Sequence, residues 1–321
     1  MMRGRELPPV YVINLDRSAA RMRQTRDHLE DLGVPFERVA AVDGAAMTRE
    51  EVKRDATPFC RAMCTPSMMG CALSHIRTWK TVVRRGQECA VVMEDDAVLV
   101  PDFRARLRRA MAEVPADYDV LVLGCFFMCD REREYGPGPA LARPFLRTRD
   151  DRRTWGSVYV PERFAGTHCY LVSRKGCEKL LRLIPRADYH IDVQMNHPDL
   201  DLYAVGPDLA HQRDMGQSVI ASYDFPKTLV PGLSAVKDRK NVTLAYYLDV
   251  PFAQVAGQPV NAWMTLFLAA GLAFPAAAAP FVAGLALAEL AVGGRPLAPL
   301  LAFLAGWGVR SVVTRACNGR A

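Results

Sequence analysis

Hydrophobic positions along this chain follow two periods. Short runs rich in β-branched residues recur at Val10–Leu15 (VYVINL), Phe36–Val42 (FERVAAV), Cys89–Met93 (CAVVM), Val120–Leu123, Ala165–Ser173 (AGTHCYLVS) and Leu202–Val205. Runs of this length and composition predict strands. Between several of them, apolar residues recur every three or four positions, which predicts helices. Asp16–Leu32 is one, with Ser18 as N-cap and Gly33 as stop signal. Gly70–Arg85 is another, striped by Ala72, Ile76, Trp79, Val82 and Val83. Asp102–Val114 and Gly176–Leu183 follow. The opening β-α-β order is the unit of a parallel sheet, so the pattern predicts an α/β fold with a mostly parallel central sheet. Residues 130–165 mix charge with Gly and Pro and predict a long loop.

The pattern changes near residue 255, which divides the chain into an expected globular domain at 1–255 and an apolar helical segment at 256–321. Trp263–Leu290 carries a single charge, Glu289, and is long enough to span a bilayer. Gly293-Gly294-Arg295-Pro296 predicts a turn, and Leu297–Val309 is apolar again but short for a span. Lys237, Arg239 and Lys240 precede the segment; Arg310, Arg315 and Arg320 follow it. Basic residues on both flanks predict a helical hairpin with both ends at the cytoplasmic face of a membrane. The competing expectation is a helical pair docked on a soluble domain.

Three adjacent carboxylates, Glu94, Asp95 and Asp96, end the Cys89–Met93 strand. Three acids at the tip of a buried strand repel one another and resist desolvation. A divalent cation relieves both penalties, and oxygen ligands suit Mg²⁺ or Mn²⁺ bridging to phosphates. Ligands of open α/β sheets sit at this end of the strands. If strand alternation continues, Glu94 and Asp96 face one way and Asp95 the other. The alternative is a solvated acidic turn.

The 321 residues suffice for one large domain or two ordinary ones, and half are hydrophobic. A net charge of +6, spread along the chain, argues against a dedicated nucleic-acid binder and stays compatible with an anionic lipid or a phosphorylated substrate. Nine cysteines are present, an odd number, and Met1–Pro9 has no apolar signal core. Reduced thiols are therefore expected rather than a disulfide framework. Cys60/Cys64 and Cys125/Cys129 share a C-x3-C spacing that is a weak zinc signature. Asn241-Val242-Thr243 forms a glycosylation sequon, without meaning on the cytosolic side.

Four segments in order resemble glycosyltransferase family 25, the lipooligosaccharide and procollagen galactosyltransferase group. They are VINLDRSAARMRQTRDHLEDLGVPFERVAAVDG (12–44), MMGCALSHIRTWKTVV (68–83), AVVMEDDAVLV (90–100) and GTHCYLVSRKGCEKLL (166–181) with HIDVQM (190–195). HQRDMGQSVIAS (211–222) is a weaker match, and the C-terminal apolar region lies outside the resemblance. The resemblance implies a GT-A-like domain, a UDP-hexose donor, Mn²⁺ or Mg²⁺, a glycan or glycolipid acceptor, and transfer with inversion.

Residue by residue, Asp96 resembles the second acid of a DxD and is the first choice for the metal, with Glu94 beside it. Asp95 is expected to face ribose or a supporting basic residue. Asn14, Asp16, Arg17 and Arg21 follow the first strand, where a helix N-terminus favours phosphate. Arg17 and Arg21 lie one turn apart; ordinary Arg–Asp pairs on an exposed helix are the alternative. Asp43, with Gly44, ends the second strand. Ser74 and His75 are expected near the donor sugar or diphosphate, against a structural reading of His75 beside Trp79. Inversion requires a base, for which Asp192 is the first candidate, His190 the second and Asp188 a weaker third. Asp192 as a helix cap is the competing reading. His211 and Gln212 are candidates for a late approach to donor or metal, and Arg147, Arg149, Arg152 and Arg153 for an anionic acceptor. Two other functions remain open: a non-catalytic sugar-nucleotide-binding protein on the same fold, and a metal-dependent phosphohydrolase.

Overall fold

The computed structural model describes residues 7–125, 129, 149–213, 226–236, 244–255 and 258–318. Arg147, Lys237, Arg239, Lys240, Arg320, the Asn241 sequon and residues 214–222 of the weaker motif lie outside the described residues. The chain forms two compact units, residues 1–213 and 214–321, a division that falls ahead of the composition change at residue 255.

The first unit opens with β1 (Val10–Asn14), a 3-10 turn (Asp16–Ser18), α1 (Ala19–Asp31) and β2 (Glu37–Ala40). Ser18 precedes α1, but its side chain makes no cap bond. Three helices follow: α2 (Arg49–Asp55), α3 (Pro58–Met63) and α4 (Pro66–Arg84). Each starts from a threonine, Thr48, Thr57 or Thr65, whose hydroxyl accepts a bond from a first-turn N–H. Thr65 and Pro66 start α4 four residues earlier than the apolar stripe alone predicts. Then come β3 (Cys89–Glu94), β4 (Ala97–Leu99), α5 (Phe103–Glu113), β5 (Val120–Val122), β6 (Thr154–Trp155) and β7 (Val158–Tyr159). The unit closes with β8 (Cys169–Ser173), α6 (Arg174–Leu183), α7 (Ile191–Met195), β9 (Leu202–Val205) and β10 (Ala210–Gln212).

Eight strands form the main sheet in the order β2-β1-β3-β8-β5-β9-β7-β6. The mostly parallel sheet of the sequence reading needs correction, because the sheet is mixed. β1 pairs in parallel with β2 and β3, and β5 with β9, but β8 runs antiparallel between β3 and β5. The short hairpin β6–β7 joins β9 antiparallel, inside the stretch expected to be loop. A strand buried on both faces does not reveal its direction in its composition, which is why β8 misleads. Alternate residues fill two cores. Tyr11, Ile13, Val92, Tyr170 and Val172 pack with α4 and α6 on one face, while Val10, Val12, Val91, Met93 and Leu171 pack with α1 and α5 on the other.

Thiol chemistry also needs correction. Cys60 and Cys64 are joined as a disulfide, as are Cys125 and Cys129. One turn of α3 brings the first pair to the same side of the helix. Cys71, Cys89, Cys169 and Cys177 are the free cysteines among the described residues.

In the second unit, α8 (Val230–Ala235), α9 (Leu244–Asp249) and a small hairpin, β11 (Ala253–Val255) with β12 (Gln258–Val260), precede three helices. These are α10 (Ala262–Ala273), α11 (Pro275–Ala291) and α12 (Leu297–Asn318). The expected hairpin is thus a trio. Trp263–Leu290 breaks at Phe274, which adopts φ −138° and ψ 51° ahead of Pro275, because a residue before proline is disfavoured in the helical region. Arg310, expected to flank the second helix, lies within α12 and donates to the exposed carbonyls of Leu272 and Ala273 at 3.0 and 2.8 Å. Leu297–Ala316, 20 residues, is the helix long and apolar enough to cross a membrane among the described residues. Helices α10 and α12 approach closely where they have no side chain: a Cβ on Gly271 would lie 2.1 Å from Phe303 O, and one on Gly306 would lie 2.3 Å from Leu268 O. Buried Glu289 accepts from the backbone N–H groups of Lys227 and Thr228 at 2.6 and 2.8 Å.

Candidate functional site

β3 ends in the acidic cluster. Because β8 is antiparallel to β3, its entry meets the exit of β3, and Glu94 N donates to His168 O at 2.9 Å. Glu94 accepts from the Thr167 hydroxyl at 2.7 Å, and its Oε1 lies 3.5 Å from His75 Nε2. Burial pushes its pKa up, but contact with the His75 imidazole and the Thr167 hydroxyl outweighs this and holds the carboxylate below its ordinary range. Asp95 turns the other way, accepting from Asn14 Nδ2 at 2.6 Å with Arg21 Nη1 at 3.3 Å. Its backbone carbonyl accepts from Thr25 at 2.6 Å. Burial raises the Asp95 pKa against the pull of Arg21. Asp96 Oδ2 accepts from Gln212 Nε2 at 2.6 Å, while Oδ1 is buried with no hydrogen-bond partner. Burial, reinforced by the Glu94 charge, pushes Asp96 up to about 7.

A polar chain runs back from Glu94 into the core. His75 Nδ1 lies 2.9 Å from the Tyr170 hydroxyl, which also accepts from Trp79 Nε1 at 2.8 Å. All three side chains are buried. Cys71 sits one helical turn before His75. Burial raises its thiol pKa, and the charges of Glu94, Asp192 and Asp96 add to the effect.

The β1 and β2 exits form an adjoining rim. Arg38 bridges Asn14 Oδ1, at 2.8 Å from Nε, and the exposed Asp16. Arg17 pairs with Asp43. Ser74 is committed to the backbone, donating to Gly70 O at 2.7 Å and accepting from Val42 N at 2.8 Å. Its hydroxyl therefore fixes the exit of β2 against α4. That approach requires glycine on both sides: a Cβ on Gly44 would lie 1.8 Å from Pro66 O, and one on Gly70 would lie 2.5 Å from Val42 O.

Asp192 lies in the first turn of α7, where His190 is the capping residue. Its carboxylate accepts from Gly166 N at 2.9 Å and Val193 N at 2.8 Å, tying α7 to the approach of β8. The His190 ring packs edge-on against Tyr189 at 5.0 Å. Asp188 accepts from the Thr57 hydroxyl and so anchors α3. His211 is exposed on β10. Arg149 donates to His197 O at 3.0 Å, Arg153 pairs with Asp151 at 2.6 Å, and Arg152 is exposed.

Glu94 and Asp96 are the oxygen donors suited to a hard cation, and the partnerless Asp96 Oδ1 supplies an open ligand position. Cys71, Thr167 and Arg38 join the neighbourhood without having been singled out from sequence. Cys71-x3-His75 carries the one readable signal, since positions four apart share a helix face.

Fold and site define the class: a mixed α/β protein whose central strand presents a cluster of acids, one of them satisfied internally and one left open. Residues 7–195 match the model of glycosyltransferase family 25 (LPS biosynthesis protein), and the chain belongs to that family. A glycosyltransferase 25 family member of Anopheles gambiae is 29% identical over 213 residues, covering 60% of this chain and 33% of the relative. Procollagen galactosyltransferase 1 of Danio rerio is 28% identical over 189 residues, covering 55% and 28%. Inactive glycosyltransferase 25 family member 3 of Mus musculus is 32% identical over 126 residues, covering 36% and 21%. The chain spans a third or less of the length of these relatives. A solved glycosyltransferase involved in the glycosylation of the major capsid of PBCV-1 is 10% identical with a TM-score of 0.28, over 56% of this chain and 69% of that one.

Proposed function

We propose that the chain is an inverting, GT-A-like glycosyltransferase that moves a hexose, galactose or glucose, from a UDP-sugar to a hydroxyl of a glycan or glycolipid. Family membership supports the reaction class, and the galactosyltransferase name of a relative supports the sugar. The observation that carries the reading is the half-buried Asp96 side chain beside Glu94, whose Oδ1 is buried and unpartnered at the carboxyl end of β3. Glu94 and Asp96 would hold Mn²⁺ or Mg²⁺, which when bound would supply positive charge for a departing diphosphate. Asp95 keeps Arg21 and Asn14 in place from below. Arg17, in the 3-10 turn ahead of α1, and Arg21, in the first turn of α1, attract the diphosphate. Asp192 accepts the proton of the acceptor hydroxyl, with His190 as the second candidate.

The second unit serves as a membrane attachment near the cytoplasmic face, bringing the site to lipid-linked acceptors. Exposed Phe274, Phe281, Leu287, Leu301, Leu304 and Val312 support this. Vesicle flotation of the full chain tests it: the double variant Leu301→Asp/Leu304→Asp is expected to stay at the bottom of the gradient while the wild type floats.

A non-catalytic reading on the same fold is favoured by one observation, the inactive designation of a relative 32% identical over its matched part. Incubation with Mn²⁺ and a panel of UDP-sugars decides between the two. The transferase releases UDP and requires an acceptor; the binding protein retains the donor without turnover. Asp96→Ala is expected to abolish release with the far-UV circular dichroism unchanged, and near-wild-type release in that variant overturns the assignment.

A further inference from the structure

Cys71, His75 and Glu94 offer a thiol sulfur, an imidazole nitrogen and a carboxylate oxygen that all lie within 4.8 Å of one another. His75 Nε2 is buried, has no hydrogen-bond partner, and points at this group, 3.5 Å from Glu94 Oε1. We infer that these three side chains form a second metal site, selective for a thiophilic divalent ion such as Zn²⁺ and distinct in chemistry from the all-oxygen pair of Glu94 with Asp96.

The ligand set carries the selectivity. Sulfur, nitrogen and a single oxygen is a zinc set, whereas Mg²⁺ and Mn²⁺ favour oxygen. Zinc bonds of about 2.0–2.3 Å in a tetrahedron place ligand atoms roughly 3.4–3.6 Å apart. The His75–Glu94 pair already meets that spacing. Cys71 completes it by a small side-chain rotation, because it lies one turn from His75 on the same face of α4. Behind His75, Nδ1 is held by the Tyr170 oxygen at 2.9 Å, and Trp79 fixes that oxygen from the far side. A metal-binding imidazole needs such a partner to free Nε2 for the ion. Cys71 and Glu94 are only partly buried, which gives an ion a way in. Binding releases the thiol proton to solvent as the sulfur–metal bond forms, and no redox step is involved. Glu94 is shared between the two sites, so on the transferase reading zinc withdraws it from the hard cation and is inhibitory. The binding itself does not depend on that reading.

The test follows binding rather than turnover. Chelator-treated full chain is titrated with Co²⁺ as a spectroscopic substitute for Zn²⁺. The expected result is a thiolate-to-cobalt charge-transfer band in the near ultraviolet that saturates at one ion per chain, is lost in Cys71→Ser, and is displaced by Zn²⁺. Should Cys71→Ser not fold, alkylation of the wild-type protein mapped by mass spectrometry decides: Zn²⁺ is expected to slow modification of Cys71 by about tenfold or more, and Mg²⁺ to leave it unchanged. An undiminished band in a folded Cys71→Ser, or equal Cys71 alkylation with and without Zn²⁺, overturns the site. Failure here leaves UDP release untouched; failure of UDP release leaves the cobalt spectrum untouched.

Discussion

Tyr170→Phe removes one oxygen atom and changes almost nothing else, yet that oxygen holds two rings. It accepts from Trp79 Nε1 at 2.8 Å and meets His75 Nδ1 at 2.9 Å, with all three residues buried. Phenylalanine fits the same space, so no cavity forms. The cost is the two ring nitrogens left unpaired away from water, about 1–3 kcal/mol each. Together they are expected to destabilise the first unit by about 2–5 kcal/mol, or roughly 5–15 °C in melting temperature for a unit of this size. Urea unfolding followed by tryptophan fluorescence measures it, with an unchanged m-value confirming that native stability alone has shifted. A loss below about 0.5 kcal/mol would mean that the hydroxyl does not satisfy these rings, and the preorganised His75 would lose its basis.

Asp96 titrates at about 7 in the folded chain against an ordinary value of 3.8. A raised acid favours the fold while protonated, so its contribution is present below about pH 4 and is lost as pH rises through 7. Glu94 is shifted downward and acts oppositely, but only as pH falls below its ordinary 4.5. Denaturation with a metal chelator present should therefore show an Asp96-dependent loss of stability between about pH 5 and 7 that Asp96→Asn abolishes; an identical slope in the variant refutes the assignment. Asp192→Asn is expected to lower the rate of UDP release by about a hundredfold or more with donor affinity retained, and an unchanged rate moves the base elsewhere. Gly306→Val is expected to separate α10 from α12, because even a Cβ there meets Leu268 O at 2.3 Å. Faster amide exchange across Ala262–Ala273 is the readout, and unchanged exchange contradicts the close packing.

The elements with strong periodicity were legible in the chain itself. β1, β3, α5 and β9 lie within two residues of the runs that predict them, and α1 starts three residues later than expected, after the 3-10 turn Asp16–Ser18. What the periodicity passes over has local causes. α2 and α3 are too short for a stripe, and their signals are the Thr48-to-Glu51 capping box and the Thr57-Pro58 start. The direction of β8 depends on its neighbours, which no single run encodes. Within the site, Asp95 turns to Asn14 and Arg21, but Asp95 and Asp96 lie in the turn between β3 and β4, where strand alternation no longer applies. Nor can periodicity reveal that Ser74 is bound to backbone, since that depends on the loop after β2 meeting α4. The break at Phe274–Pro275 was readable in Pro275; Arg310 as the cap of the broken end was not, because it sits far along the chain.

The reversal of β8 bears on the order in which the site assembles. Glu94 and Thr167 face each other at one rim although a long stretch of chain separates them, because one strand arrives where the other departs. The rim therefore exists only once β8 has paired with β3, and the acidic cluster gains its Thr167 and His168 partners no earlier than the centre of the sheet closes.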